Sequence, residues 1–200
     1  MNPPLAILGG TFDPVHNAHL AIARHALGRL GCARVLWVPT GAPGYRAAPV
    51  ASSADRLAML RLATQSEKRF QIDERELAPG HSGYTVDTLI ALRAESDAKT
   101  PLLLLLGADQ YAKIETWHRW KDLVQLCRIA VFERPGFEGS AAPDSARQGA
   151  PARGDVVRAQ APAQDISSTE IRRRVAAGEN VAALLPAPVL AYIRSHRLYL

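Results

Sequence analysis

The sequence has few cysteines, few aromatic residues and no long hydrophobic run. Its two cysteines, Cys32 and Cys127, lack the spacing of metal ligands, so we predict reduced thiols and neither a disulfide framework nor a zinc site. No apolar stretch approaches the roughly 20 residues that span a bilayer, and the N-terminus lacks a basic leader followed by an apolar segment. These absences predict a cytoplasmic protein that makes no use of a membrane.

Aromatic residues make up only 6% of the chain and are not interleaved with blocks of lysine or arginine. The stacking platform of a single-strand nucleic-acid binder is therefore missing. The formal net charge of +5 comes mainly from arginine, and such a charge suits either nucleic acid or small polyanions. Without the stacking platform, we expect phosphorylated small molecules as partners and no nucleic acid; the oligomeric state is left open.

Apolar runs of strand length alternate with helical segments along the chain, and 200 residues are enough for one sizeable core. This pattern predicts a single α/β domain over residues 1–200, with a Rossmann-like doubly wound parallel sheet of about five to six strands and helices on both faces. The five consecutive leucines from Leu102 to Leu106 suit a central strand buried on both faces. The other strands are expected at 5–8, 35–38, 70–72 and 129–132, and the main helices at 17–30, 54–66, 85–95, 168–177 and 186–194.

Residues 137–163 are rich in Ala, Gly, Pro, Ser and Arg and contain almost no core-forming side chains. We therefore predict a flexible insertion there, with a short strand near 155–157. Order is expected to resume in a C-terminal helical segment, 167–200.

The stretch after the first strand carries the strongest functional signal, and it reads Gly9-Gly10-Thr11-Phe12-Asp13-Pro14-Val15-His16-Asn17-Ala18-His19. Two glycines let the backbone turn tightly and approach a ligand closely. The helix that follows presents unpaired N–H groups and the positive end of its dipole, which favour phosphate. His16 and His19 are three residues apart, so their imidazoles would lie on the same side of the first turn. This arrangement predicts a site for a phosphoryl group.

A second helix start, Ser167-Ser168-Thr169-Glu170-Ile171-Arg172, offers hydroxyl groups, N–H groups and a guanidinium that matches phosphate oxygens. Ser167 and Glu170 have the spacing of a capping box. Alone, this string is typical of a well-capped surface helix. Beside the histidine stretch, it predicts contacts to the far side of a triphosphate.

The histidine stretch resembles the signature G-G-T-F-D-P-x-H-x-G-H of the nucleotidyltransferase superfamily, with Ala18 in place of a glycine. The later string resembles the I-S-S-T-x-I-R sequence of the same superfamily. Three further strings resemble the bacterial nicotinate-nucleotide adenylyltransferases, and they are Ser82-Gly83-Tyr84-Thr85 with Asp87-Thr88-Leu89, Leu106-Gly107-Ala108-Asp109, and Trp117 with Trp120.

The resemblance implies transfer of the adenylyl group of ATP to nicotinate mononucleotide, with Mg²⁺ as a cofactor bound mainly through the ATP phosphates and no metal site on the protein. It implies catalytic roles for His16, His19, Arg46 and Arg172. Arg46 keeps a positive charge in a loop, Pro43 to Arg46, where these enzymes often carry Pro-Pro-His-Lys.

The implied ATP-binding residues are Gly9, Gly10, Thr11, Phe12, His16, His19, Gly107, Asp109, Ser167, Ser168, Thr169 and Arg172. Those implied for nicotinate mononucleotide are Tyr84, Thr85, Trp117 and Arg134, whereas Trp120 and the histidines 25, 81, 118 and 196 are expected to be packing or surface residues.

Two alternatives remain at this point. The first is another adenylyl- or cytidylyltransferase of the superfamily, such as a pantetheine-phosphate adenylyltransferase, and Tyr84, Thr85 and Trp117 count against it. The second is a basic, non-catalytic protein that binds nucleotides or RNA, against which the paired histidines and Arg172 count.

Overall fold

The computed structural model describes residues 2–41, 48–133, 156–160 and 166–200. Its sheet has six strands in the order β3-β2-β1-β4-β5-β6, and every pair of neighbours is parallel. The strands are β1 (Leu5–Gly10), β2 (Arg34–Pro39), β3 (Phe70–Ile72), β4 (Leu102–Gly107), β5 (Arg128–Glu133) and β6 (Val156–Gln160).

Seven α-helices lie within the described residues. They are α1 (Asn17–Gly28), α2 (Ser53–Thr64), α3 (Thr85–Glu95), α4 (Ala108–Tyr111), α5 (Trp120–Leu126), α6 (Ser168–Ala176) and α7 (Ala187–Ser195). Two short 3₁₀ helices, Arg75–Leu77 and Ile114–Thr116, lie in the connections. None of the helices in these ranges is both long and apolar enough to cross a membrane.

The core is divided by the sheet into two layers. Leu103 and Leu105 of β4 pack on the side of α1, α2, α6 and α7, whereas Leu102, Leu104 and Leu106 pack on the side of α3, α4 and α5. Because successive side chains of a strand point to opposite faces, an unbroken leucine run is what a strand covered on both sides requires. The prediction of a doubly wound parallel sheet with β4 in its centre is therefore confirmed.

Strands β1 and β4 are neighbours, with Leu5 opposite Leu102 and Ile7 opposite Leu104. The chain leaves β1 towards β2 on one side and leaves β4 towards β5 on the other, so a crevice opens between their carboxyl ends. Ligands of open α/β sheets bind in such a crevice. The fold thus places the glycine-rich stretch after β1 beside the turn after β4.

Local details differ from the sequence predictions at several boundaries. Helix α2 begins at Ser53, one residue before the predicted start, because Ser52 caps it by accepting from the Asp55 N–H. Helix α3 follows Tyr84 and begins at Thr85. The short strand expected near 155–157 is β6, which extends to residue 160 because it pairs with β5 along its whole length. The rest of the predicted insertion lies outside the described residues.

Candidate active site

A cavity of about 570 Å³ opens at the carboxyl edge of the sheet, between the ends of β1 and β4 and the starts of α1 and α6. Both ends of the chain contribute to its wall. It contains every residue predicted to contact ATP, namely Gly9, Gly10, Thr11, Phe12, His16, His19, Gly107, Asp109, Ser167, Ser168, Thr169 and Arg172. The structure therefore brings these twelve residues together.

The turn after β1 combines open space with a buried anchor. A Cβ atom added to Gly9 would meet nothing within 4 Å, so this part of the cavity wall leaves room for a ligand. Phe12 has a left-handed backbone, with φ of 51°, and its ring is 2% exposed. The ring packs against Trp37 and the edge of His19. Phe12 consequently belongs to the core, and what it presents to a ligand is its main chain.

The two histidines form a stacked pair, with ring centroids 3.7 Å apart and an interplanar angle of 24°. His16 is the N-cap of α1, and its N–H donates to Nδ1 of His19 at 3.3 Å. Because Nδ1 accepts this bond, a neutral His19 carries its proton on Nε2. Both members of the pair line the cavity.

Asp13 is a largely buried residue of the cavity wall, and it connects three segments. Its Oδ2 atom accepts from the Val50 N–H at 2.7 Å, and its Oδ1 atom accepts from the Ala51 N–H at 3.2 Å and from the Tyr199 hydroxyl at 2.7 Å. Burial, together with the hydrogen bond to Asp13, raises the pKa of Tyr199, so its hydroxyl remains a donor. Tyr199 carries no sequence signal for this role because its partner is 186 positions away.

Arg56 holds the opposite side of the turn. It is fully buried, and its Nη1 atom donates to the carbonyl oxygens of Thr11 at 2.7 Å and Thr40 at 2.8 Å. Burial lowers the pKa of Arg56, while the nearby Asp13 and Tyr199 act in the opposite direction. The guanidinium thus joins the β1 turn to the end of β2, a function that its place inside α2 did not reveal.

Helix α6 is docked directly on the β1 turn. Ser167 caps it, as predicted, by accepting from the Glu170 N–H at 3.2 Å. The Ser168 hydroxyl donates to the Pro14 carbonyl at 3.0 Å, and Nη1 of Arg172 donates to the Asp13 carbonyl at 2.7 Å. Nη2 of Arg172 donates to the Thr169 hydroxyl at 3.3 Å. These bonds place the arginine at the rim of the cavity that the histidines line.

A second cavity of about 460 Å³ adjoins the first and shares Gly83, Thr85, Gln110 and Trp117 with it. Tyr84 lines this second cavity only, and its ring stacks on that of His118 at 4.2 Å. His118, expected to be a packing or surface residue, therefore lies at the site. The predicted pyridine-binding residues Tyr84, Thr85 and Trp117 are thus together at one end of a continuous cleft.

The wall of the larger cavity also contains a buried acidic residue that the sequence did not indicate. Glu76 accepts a hydrogen bond of 2.6 Å from the Thr88 hydroxyl, and both side chains line the cavity. A Cβ atom on Gly41 would lie 2.3 Å from the Glu76 carbonyl oxygen. Only glycine lets the chain after β2 pass at this distance.

Two predicted site residues, Arg46 and Arg134, lie outside the described residues. Within the part of the chain that the structure describes, no group of three or more His, Cys, Asp or Glu side chains is arranged to hold a metal ion.

Comparison with known proteins gives consistent matches along the chain. A family model described as cytidylyltransferase-like matches residues 7–174. A "Probable nicotinate-nucleotide adenylyltransferase" from Laribacter hongkongensis is 42% identical, over 98% of this chain and 94% of its own. A protein of the same name from Chromobacterium violaceum is 41% identical over the whole of both chains.

Among solved structures, the nicotinic acid mononucleotide adenylyltransferase of Plasmodium falciparum complexed with NaAD superimposes with a TM-score of 0.81. The match covers 99% of this chain and 98% of that one at 17% identity, so it supports the fold alone.

Proposed function

The chain belongs to the cytidylyltransferase-like family, with relatives named nicotinate-nucleotide adenylyltransferase over its whole length, and on this premise we propose that it transfers the adenylyl group of ATP to nicotinate mononucleotide. The products are nicotinate adenine dinucleotide and pyrophosphate, and the reaction belongs to NAD biosynthesis. The observation that carries the proposal is the cleft itself. Its phosphate-binding end holds the histidine pair and Arg172, and its other end holds Trp117 and Tyr84.

The ATP end of the cleft offers donors on two walls. The triphosphate would lie over Gly9 and Thr11, between the His16–His19 pair and the start of α6, where Ser167, Ser168 and Thr169 supply hydroxyl and N–H groups. Asp109, exposed after β4, is placed to accept from the hydroxyls of the adenosine ribose. Arg46 is assigned to the phosphates on the basis of the family resemblance.

The reaction needs positioning and charge stabilisation more than acid–base chemistry, because the attacking phosphate oxygen of the mononucleotide is already an anion. A new P–O bond forms at the α-phosphorus as the bond to the bridging oxygen of the β-phosphate breaks, and pyrophosphate leaves with that electron pair. The Nε2–H of His19 and the imidazole of His16 would stabilise charge on the α-phosphate. Arg172 would stabilise charge on the departing pyrophosphate.

A divalent cation enters this scheme as part of the ATP substrate. Mg²⁺ binds preferentially to oxygen and retains water, so phosphate oxygens and water hold it without a cage of protein carboxylates. We propose Mg²⁺ as that cation.

The acceptor end would bind the pyridine ring. Trp117 provides a flat surface for stacking, and Thr85, the first residue of α3, presents N–H and hydroxyl donors to the ring carboxylate. Tyr84 and, by resemblance, Arg134 complete this subsite. Nicotinamide mononucleotide carries a neutral amide at the same place, so we expect it to be the poorer acceptor.

The proposal extends to the organisation of the protein. We propose one nucleotidyltransferase domain over residues 1–200, acting in the cytoplasm on small molecules and without a nucleic-acid partner. The buried, unpaired cysteines and the low aromatic content support these points.

Pyrophosphate release provides the test. The purified protein is incubated with Mg²⁺, with either ATP or CTP, and with nicotinate mononucleotide, nicotinamide mononucleotide or 4′-phosphopantetheine as acceptor. We expect the highest kcat/KM for ATP with nicotinate mononucleotide. Preference for phosphopantetheine or CTP would assign the chain to another branch of the family, and RNA binding without turnover on any pair would support a non-catalytic role.

A further inference from the structure

We propose that Tyr199 is a positioning residue for adenylyl transfer, which acts through Asp13 to keep Arg172 available to the triphosphate. The inference rests on the proposed function. It assigns a part in that function to a residue 186 positions after Asp13 in the chain. Tyr199 follows α7 by four residues, and it is not among the residues that line either cavity. Its effect must therefore pass through its hydrogen-bond partner.

The contact between Tyr199 and Asp13 is buried and short. The tyrosine side chain lies in the core layer that contains α1, α2, α6 and α7, and its residue is 9% exposed. Its hydroxyl donates to Oδ1 of Asp13 at 2.7 Å, and Asp13 itself is 3% exposed. The backbone of Tyr199 is left-handed, with φ of 65°, which a bulky side chain rarely adopts. Contacts of the ring and hydroxyl are what hold it there.

Asp13 connects Tyr199 to Arg172, the arginine that we assign to the triphosphate. Its carbonyl oxygen accepts from Nη1 of Arg172 at 2.7 Å, whereas its carboxylate oxygen Oδ2 is 3.9 Å from the same nitrogen. Its two carboxylate oxygens also fix the N–H groups of Val50 and Ala51. Asp13 thus connects the β1 turn to the segment before α2 through its carboxylate and to helix α6 through its carbonyl oxygen.

The hydroxyl of Tyr199 determines which donors bind the Asp13 carboxylate. With the hydroxyl present, Oδ1 has a short bond from a neutral donor, and Arg172 stays on the main-chain carbonyl with the rest of its fork directed to Thr169. Without it, the 3.2 Å bond from Ala51 is the one that Oδ1 keeps among the described residues, and a buried anion with too few donors attracts the nearest cation. Arg172 would then close on the carboxylate and be withdrawn from the triphosphate.

The test is Tyr199→Phe, which keeps the ring and removes the donor. We expect the KM for ATP to rise about fivefold and kcat to fall about tenfold, with the KM for nicotinate mononucleotide within about twofold of wild type, since a hydrogen bond to a charged group sets effects of this order. Because KM does not depend on the folded fraction, the comparison holds even if the variant is less stable. Unchanged KM values for both substrates, with kcat reduced only in proportion to folded protein, would overturn the proposal.

Tyr192→Phe is the matched control. Tyr192 is another tyrosine of the C-terminal segment that donates to an aspartate, here Oδ1 of Asp55 at 3.0 Å, and it lines neither cavity among the described residues. We expect both KM values to stay within about twofold of wild type in this variant. If the KM for ATP rises and kcat falls equally in the two variants, loss of any tyrosine hydrogen bond in the C-terminal segment has the same effect. That result would refute a specific role for Tyr199.

Two further measurements separate this proposal from the proposed function. Calorimetric binding of a non-hydrolysable ATP analogue should be weaker in Tyr199→Phe whatever the acceptor is, so the positioning role can be tested even if nicotinate mononucleotide is the wrong acceptor. Asp13→Asn, alone and combined with Tyr199→Phe, should give non-additive changes in ATP affinity if the tyrosine acts through Asp13. Additive changes in ATP affinity would show that Tyr199 does not act through Asp13.

Discussion

Arg172 donates a hydrogen bond of 2.7 Å from Nη1 to the carbonyl oxygen of Asp13, a residue 159 positions earlier in the chain. The Ser168 hydroxyl makes a parallel contact to the carbonyl of Pro14. Because α6 is fixed to the β1 turn by these bonds, the hydroxyl-rich start of α6 and the histidine pair face one cavity. Two sequence motifs that lie at opposite ends of the chain therefore line a single cavity.

The first prediction concerns the His19 ring. His19→Ala removes a preorganised donor that we assign to the α-phosphate, and groups of this kind contribute about 10²–10³ in kcat. We expect a loss of that size in steady-state pyrophosphate release, with calorimetric affinity for nicotinate mononucleotide nearly unchanged. His196→Ala provides the control, since this exposed ring stacks on Tyr192 after α7. Near-normal turnover of His19→Ala would reject the assigned role.

The second prediction concerns the shape of the Arg172 side chain. Nη1 and Nη2 bond to different partners, so the guanidinium is held in one orientation. Arg172→Lys keeps the charge but loses the planar fork, and we expect kcat/KM for ATP to fall about tenfold or more.

Arg173→Lys is the control for this substitution on the same helix. Arg173 pairs with Glu170 and Glu179, away from the cavity, and its side chain is 55% exposed. We expect it to leave kcat/KM for ATP unchanged. If Arg172→Lys does the same, charge alone is sufficient at position 172.

The residues that the sequence identified are those whose signal is local. The Leu102–Leu106 run predicts a strand covered on both faces, and the structure shows it. The spacing of His16 and His19 predicts two imidazoles on the same side of one helix start, where the structure has them stacked. Both follow from backbone periodicity, which neighbouring residues determine. The fold class and the two motifs that line the larger cavity could be predicted for this reason.

The residues that the sequence missed depend on partners that are distant in the chain. Arg56 appears in sequence as an ordinary residue of α2, and only the fold brings the carbonyls of Thr11 and Thr40 to it. Tyr199 and Glu76 are similar cases, because a hydroxyl or carboxylate gains its role from the group opposite. The start of α2 differs by one residue from the prediction because Ser52 and Ser53 have equal capping propensity, and the structure has Ser52 as the cap.

The third prediction concerns the acceptor end of the cleft. Trp117 is half-buried and lines both cavities. If its ring stacks on the pyridine, Trp117→Ala should raise the KM for nicotinate mononucleotide about tenfold, since stacking contributes about 0.5–1.5 kcal/mol beyond the loss of buried area. The KM for ATP should change little. Trp120→Phe is the comparison, because Trp120 begins α5 and lines neither cavity among the described residues. Equal KM values for nicotinate mononucleotide in the two variants would contradict stacking of Trp117 on the pyridine ring.

The fourth prediction concerns the two cysteines, both of which are buried. Burial raises the pKa of the Cys32 thiol to about 11 and that of Cys127 to about 12. The nucleophile in alkylation is the thiolate, so we expect iodoacetamide at about pH 8 to label neither residue in the native protein and both after denaturation in guanidinium. Mass spectrometry of the alkylated protein gives the result directly.

The same shifts fix the sign of a pH effect on stability. In the unfolded chain these thiols ionise near the ordinary value of 9.0, while in the folded protein they stay protonated to higher pH. The unfolded state therefore loses protons first, and the free energy of unfolding should fall as the pH rises from about 9 towards 11. Urea unfolding at pH 8 and pH 10 measures this fall.

Replacing both cysteines with alanine should reduce the fall in the free energy of unfolding between these pH values. Tyr199, whose pKa is also raised by burial, will leave a smaller fall of the same sign. An identical slope in the cysteine-free variant would mean that the thiols are not responsible.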